Sequence, residues 1–355
     1  MNYFLCFLLK VQKWLIWLFF VFFCSNSCPL LAKGQYGRVY SFTEKVNNKD
    51  VKVVFKKSSL SDNYKLGKVV YHRQYKYILP DVSISLSLSH LKAFPRSSHY
   101  CENFANILSN HFVFEDIKQK RHLITEMSFI EKLIHNLKHI SPKRGMSPKQ
   151  RRHLITKMSY AGKPIWKLRS ISPKTAISLA RQLIASLAVA ESALEFEHRD
   201  LHLGNVLVLK TNEKSVNFKM NGKPFTVELN GFKLNIIDTT FSRITFRNEI
   251  HFTRLAKTPT TIAKTESSKL SYNLWIYKKQ CQLTDNDWSR FCPKSNIYWL
   301  EFLLESYWNL LIGIHQIINK STVDQSKDSK KDFRLLEKWK NTITQYNSVF
   351  EFLYP

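Results

Sequence analysis

The run His198-Arg199-Asp200-Leu201-His202-Leu203-Gly204-Asn205 sets a carboxylate and, five positions on, a carboxamide in one short polar stretch. That spacing suits phosphoryl transfer. The carboxylate orients an attacking hydroxyl and takes its proton, and the amide oxygen ligates a Mg²⁺ ion that bridges phosphates. Asp200 is therefore the candidate catalytic residue and Asn205 a candidate catalytic and metal-binding one. Asp238 closes the apolar run Leu234-Asn235-Ile236-Ile237 and is the second candidate metal ligand. Upstream, Lys33-Gly34-Gln35-Tyr36-Gly37-Arg38-Val39 offers the unencumbered backbone that a phosphate cover needs, so Gly34, Gly37 and Val39 are candidate nucleotide contacts. Val53-Val54-Phe55-Lys56 follows with a cation for phosphate oxygens. Lys57 is its rival, because a one-residue slip turns the strand over.

These groups need elements to hold them. Ser172-Pro173 reads as an N-cap followed by proline at the first helical position. Ala180, Leu183, Ile184, Leu187, Ala190 and Leu194 continue it at helical spacing. The polar run 197–205 then separates this helix from a strand at Val206-Leu207-Val208-Leu209. Asn221-Gly222 and Asn230-Gly231 signal tight turns. Beyond residue 295 the sequence reads as helical with a thick apolar face. Arg121–Lys143 and Arg152–Lys174 align without gaps, 14 of 23 positions being identical. Two copies are too few for a solenoid. The expectation is a local tandem duplication with one copy in the fold and the other an insertion, the second copy being the one that runs on into the next helix.

At 355 residues, with 44% hydrophobic and 14% aromatic residues, the chain is long and apolar enough for a globular core, which excludes a disordered polypeptide. Its 54 Lys and Arg against 27 Asp and Glu give a net charge of +27. Such a field draws nucleic acid, chromatin, anionic membrane or acidic protein and repels basic peptides. The six cysteines, Cys6, Cys24, Cys28, Cys101, Cys281 and Cys292, form no C-x-x-C pair, as expected of a reduced intracellular protein without a metal–thiolate site. Residues 14–32 carry no charge and begin with an aromatic-rich apolar run, which suits a membrane tether, a signal-like segment or a buried extension.

The stretch LAVAESALEFEHRDLHLGNVLV resembles the haspin kinases around their catalytic loop, with Leu203 where tryptophan is usual. IIDTTFSR is similar to the haspin variant of the D-F-G motif, with Thr239 for tyrosine, and SNIYWLEFLL is similar to a haspin C-terminal segment. The resemblance implies an α+β, bilobal protein kinase-like fold over residues 29–355, with a small β-rich N-lobe over about 29–161 and a larger helical C-lobe over about 162–355. Residues 1–28 form an apolar extension, and the duplication 121–143/152–174 begins in the N-lobe. It implies an ATP- and Mg²⁺-dependent serine/threonine protein kinase of the nucleus and cytoplasm, whose family substrate is a core histone tail threonine on mitotic chromatin. It also implies that Lys56 contacts the nucleotide phosphates and that Asp81 takes the place of the helix glutamate pairing with that lysine. Ala32 stands at the first glycine of the phosphate loop. Trp275 stands where kinases carry the aspartate that anchors the catalytic-loop arginine, so Arg199 is expected to lack that partner. Lys163, Lys167, Arg247, Arg254, Lys257, Lys264 and Lys269 make the substrate side basic, a poor match for a basic tail. The alternative function is a pseudokinase serving as a binding module.

Overall fold

The computed structural model describes residues 29–34, 37–59, 64–66, 69–71, 75–93, 97–116, 121–127, 150–168, 171–255, 270–318 and 327–354. Expectations for the extension 1–28, most of the tether 14–32, the repeat linker and the lysines of 256–269 lie outside the described residues. In chain order come strands β1 (Leu30–Gly34), β2 (Gly37–Val46), β3 (Lys49–Ser59), β4 (Tyr64–Leu66) and β5 (Val69–Tyr71), then helix α1 (Tyr75–Ala93). Strands β6 (Tyr100–Cys101), β7 (Ile107–Asp116), β8 (Arg121–Met127), β9 (Gln150–Ser159) and β10 (Lys163–Pro164) lead to helix α2 (Pro173–Leu194). Next are β11 (Val206–Lys210), β12 (Ser215–Met220), β13 (Lys223–Glu228), β14 (Phe232–Ile236), β15 (Arg243–Phe246) and β16 (Glu249–Phe252). Helices α3 (Leu270–Leu283), α4 (Lys294–Ile318), α5 (Lys327–Thr342) and α6 (Val349–Leu353) complete the chain.

The chain divides into two compact units, residues 1–73 with 107–160 and residues 74–106 with 161–355. The segment 74–106, expected with the N-terminal lobe, packs in the second unit, where β6 pairs with β12. The first unit is built on an antiparallel sheet of order β1-β2-β3-β9-β7-β8. Asn47 and Asn48 take positive φ and close the β2–β3 hairpin. The described start of each repeat copy is a strand, and the two strands flank β7 on its two sides. The second copy, β9, takes the central place against β3, and the first, β8, takes the edge. The first copy thus enters the sheet as an edge strand beyond β7, and the run Arg-His-Leu-Ile-Thr that both copies share pairs with either side of β7.

Helix α2 is the axis of the second unit. Ser172 caps it by accepting from the Thr175 N–H at 3.1 Å, with Pro173 in the first turn as the sequence predicts. Leu179, Leu183, Ile184, Leu187 and Val189 are buried, each worth about 1.5–3 kcal/mol on removal from water. The helix is long and apolar enough to cross a membrane, yet most of it is enclosed by the protein. Its buried polar groups are matched. The Gln182 Oε1 accepts from the Leu234 N–H at 2.8 Å, and the Ser186 hydroxyl donates to the Gln182 carbonyl at 2.6 Å. The first of these bonds ties β14, and so the approach to Asp238, to the central helix. Asn221-Gly222 closes the β12–β13 hairpin with both residues at positive φ.

The chain leaves the first unit after Tyr160 and enters the second through Gly162. Gly162 has φ +107°, and a Cβ there would lie 2.1 Å from the Val208 carbonyl oxygen. Only glycine admits this approach, which lets β10 pair with β11. Gly162→Ala is expected to cost about 2 kcal/mol or more, through backbone strain and the clash. Thermal unfolding followed by circular dichroism should show the melting temperature falling by several degrees, and an unchanged melting temperature would count against this account.

Candidate active site

The run 197–205 crosses from α2 to β11 and is fixed at nearly every residue. Glu197 exchanges two backbone hydrogen bonds of 2.9 Å with Arg243. The His198 N–H donates to the Asn296 Oδ1 at 3.0 Å, and Asn296 in turn donates to the Glu191 Oε1 at 2.9 Å and to the Phe196 carbonyl at 2.8 Å. Glu191 also accepts the Val349 and Phe350 N–H groups that open α6. The His198 ring is fully buried, which pushes its pKa down to about 4 and keeps it neutral. Its Nε2 lies 3.0 Å from the Ile237 carbonyl and its Nδ1 3.3 Å from the Asp200 N–H. That pattern defines the Nε2–H tautomer, with the ring joining the backbone of Asp200 to the residue before Asp238.

Arg199 overturns a sequence expectation. It is fully buried, with φ 64°, and it is well partnered. Glu197, also buried, accepts from its Nη2 at 2.8 Å and from its Nε at 3.2 Å. The Trp288 and Arg290 carbonyls accept from its Nη1 and Nη2 at 2.8 and 3.1 Å, and the guanidinium lies over the Trp288 ring. Glu197 is itself completed by the Cys292 N–H and the Ser295 hydroxyl at 2.9 and 2.7 Å. The anchor is thus two residues from the arginine in sequence. Trp275 is not its substitute, being 39% exposed on α3 with its ring edge-on to Tyr298.

Asp200 holds its backbone carbonyl against the Asn205 Nδ2 at 2.8 Å, and the Tyr277 hydroxyl donates to its Oδ1 at 2.6 Å. Burial raises its pKa to about 7, the Tyr277 bond opposes this, and the charge of Asp238 adds to it. With Nδ2 so committed, Oδ1 is the atom Asn205 has to offer a cation. Asp238 follows β14 in the left-handed region at φ 66°, and its Oδ1 accepts from the Thr240 hydroxyl at 2.6 Å. The next residue, Thr239, donates to the Asp81 carboxylate at 2.8 Å and lies 3.1 Å from the Asp81 carbonyl. Asp81 therefore sits beside the Asp238 segment, its carboxylate engaged by a threonine that sequence reasoning passed over.

Asp81, Asp200, Asn205 and Asp238 are brought together in the second unit. Gly34, Gly37, Val39 and Lys56 belong to the first, and Gly34 faces Gly37 across the β1–β2 turn. Lys56 pairs with Val39 and Ser41 with Val54, so Lys56 shares a sheet face with Val39 and Gly37, whereas Lys57 pairs with Arg38 on the other face. A Cβ on Gly37 would lie 2.6 Å from the Lys57 carbonyl, so the close approach of β2 to β3 requires a glycine there. Ala32, opposite Val39, is accommodated within β1.

Among the described residues no three His, Cys, Asp or Glu side chains cluster to hold a metal ion by themselves. The donors at hand are one carboxylate and one carboxamide, hard oxygen ligands of the kind that share Mg²⁺ with substrate phosphates. The residues fit such an ion bound together with a nucleotide.

A left-handed aspartate closing an apolar strand, joined through a buried histidine to a second aspartate, gives this helical unit the architecture of a protein kinase, and the sheet-rich first unit completes the α+β fold. The family model for the haspin-like kinase domain matches residues 30–350, and the chain belongs to the haspin family of serine/threonine protein kinases. It is 34% identical over 182 residues to the serine/threonine-protein kinase haspin of Mus musculus, covering 50% of this chain and 22% of that protein. It is 32% identical over 176 residues to the haspin homolog of Arabidopsis thaliana, covering 50% and 27%. Over 152 residues it is 32% identical to the homolog of Drosophila melanogaster, covering 42% and 26%. The chain spans about a quarter of the length of these relatives.

Proposed function

We propose that this chain is an active protein kinase that transfers the γ-phosphate of ATP to a serine or threonine hydroxyl. The observation that carries the reading is the His198 ring, which joins the Asp200 backbone to the Ile237 carbonyl and so sets the proton acceptor and the Mg²⁺ ligand Asp238 on one rigid frame. Asp200 takes the proton of the acceptor hydroxyl. Asn205 and Asp238 hold Mg²⁺, which when bound neutralises phosphate charge. By the family resemblance, Lys56, Gly34, Gly37 and Val39 of the first unit are the nucleotide contacts. Arg199, with four hydrogen bonds made, holds the loop in place rather than weakening it.

The family substrate, a histone tail threonine on mitotic chromatin, is the acceptor the resemblance implies, against which the basic residues Lys163, Lys167, Arg247 and Arg254 weigh, with the nucleus and cytoplasm as its location. The charge of +27 argues for association with chromatin or another polyanion alongside it. It also makes an acidic protein the acceptor to compare.

Saturating Mg-ATP should raise the melting temperature, since a ligand at a hundredfold its Kd stabilises the native state by about 2.7 kcal/mol. Asp238→Asn should remove most of the Mg²⁺-dependent part. Radiolabelled phosphate should then pass to a histone, an acidic protein or the enzyme itself. A folded chain that shows neither the shift nor transfer would sink the proposal and leave a pseudokinase.

A further inference from the structure

The Asp200 carboxylate has a partner that neither its motif nor the family's phosphate chemistry assigns. Tyr277, on α3, reaches the catalytic loop from 77 residues away, and its hydroxyl donates to the Asp200 Oδ1 at 2.6 Å. The tyrosine ring is set by an edge-on contact with Trp299, which is fully buried, and the preceding Ile276 is also fully buried. This hydroxyl is therefore held on a packed helix rather than on a free surface side chain.

The bonds around Asp200 divide the work. Its N–H goes to the His198 Nδ1 and its carbonyl accepts from Asn205, so the backbone is fixed without Tyr277. Only the side-chain torsions remain, and the phenol fixes them by claiming one of the two carboxylate oxygens. The other oxygen faces the His202 Nε2 at 4.0 Å, beyond hydrogen-bond reach. His202 accepts the Gly204 N–H at its Nδ1 at 3.0 Å, so its Nε2 carries the hydrogen, but the 4.0 Å gap leaves Oδ2 without a bond from it. We infer that Tyr277 is a positioning residue that pins Oδ1 of Asp200 and thereby presents Oδ2 to the acceptor hydroxyl. The inference rests on the kinase reading above and deepens it. A carboxylate free to rotate offers the right oxygen only part of the time, and general-base catalysis depends on that orientation.

Tyr277→Phe keeps the ring and its contact with Trp299 and removes only the hydroxyl. The kcat for phosphate transfer should fall roughly ten- to hundredfold, the loss typical of one charge-assisted hydrogen bond. The KM for ATP and the Mg-ATP melting shift should stay at wild-type values. In an Asp200→Asn background the same substitution should cost no further activity, because the oxygen it orients no longer accepts a proton. A wild-type kcat in Tyr277→Phe would overturn the inference, as would a loss confined to KM or an equal loss in both backgrounds. If the wild-type chain transfers no phosphate, the kinase reading fails first. A melting-temperature cycle of Tyr277→Phe with Asp200→Ala, which removes the accepting oxygen, then decides the bond by itself: strictly additive shifts overturn it, and coupled shifts sustain the pinning of Oδ1.

Discussion

Glu197→Gln should lower stability by about 3–5 kcal/mol, the cost of removing one partner from a buried ion pair. Glu197 and Arg199 are both fully buried, so no water can replace the lost charge. The carboxylate accepts four hydrogen bonds, two from Arg199, one from the Cys292 N–H and one from the Ser295 hydroxyl. An amide has one acceptor oxygen and would turn its two donors toward groups that also donate. For a unit of this size the loss corresponds to a melting temperature lower by roughly 10 °C or more. Calorimetry measures it directly. Trp275→Ala is the contrast, because it removes a ring that is 39% exposed and should cost about 1 kcal/mol. If the two variants melted together, the assignment of Glu197 as the anchor of Arg199 would fail.

Asp200→Asn should reduce phosphate transfer by about 10²–10⁴-fold, the range for a positioned general base. The amide keeps the shape of the carboxylate and can still accept from the Tyr277 hydroxyl, but it cannot take up a proton at neutral pH. The Mg-ATP melting shift should survive, because the proposed metal ligands Asn205 and Asp238 are intact. The two readouts therefore separate chemistry from binding. Transfer at the wild-type rate by Asp200→Asn would move the catalytic role to another residue.

The parts of this site that were legible in the sequence are local ones. The Ser172-Pro173 helix start, the Asn-Gly turns and the polar loop between helix and strand each depend on neighbours within a few positions, and each stands where the residues put it. Asp238 was readable because an apolar strand precedes it. Thr239 and Tyr277 were not, because their partners lie 158 and 77 residues away and no spacing rule links them. Glu197 is a different case. It lies only two residues from Arg199, but its role depends on the segment 288–295 closing over both, which turns a solvated pair into a buried one. The repeat was visible as identity between two stretches. That both copies become strands follows from the second face that β7 offers, which a one-dimensional comparison does not contain.

The placement of those two copies gives the sheet a modular edge. The hairpin from β7 into β8 and the longer return into β9 present the same Arg-His-Leu-Ile-Thr run to opposite sides of one strand. The first copy's strand lies at the edge beyond β7, while the second copy's lies between β7 and β3. The extra strand is thus an addition at the rim of the sheet, outside the run β1-β2-β3-β9-β7. A gene can acquire or discard such a unit without redrawing the lobe around it.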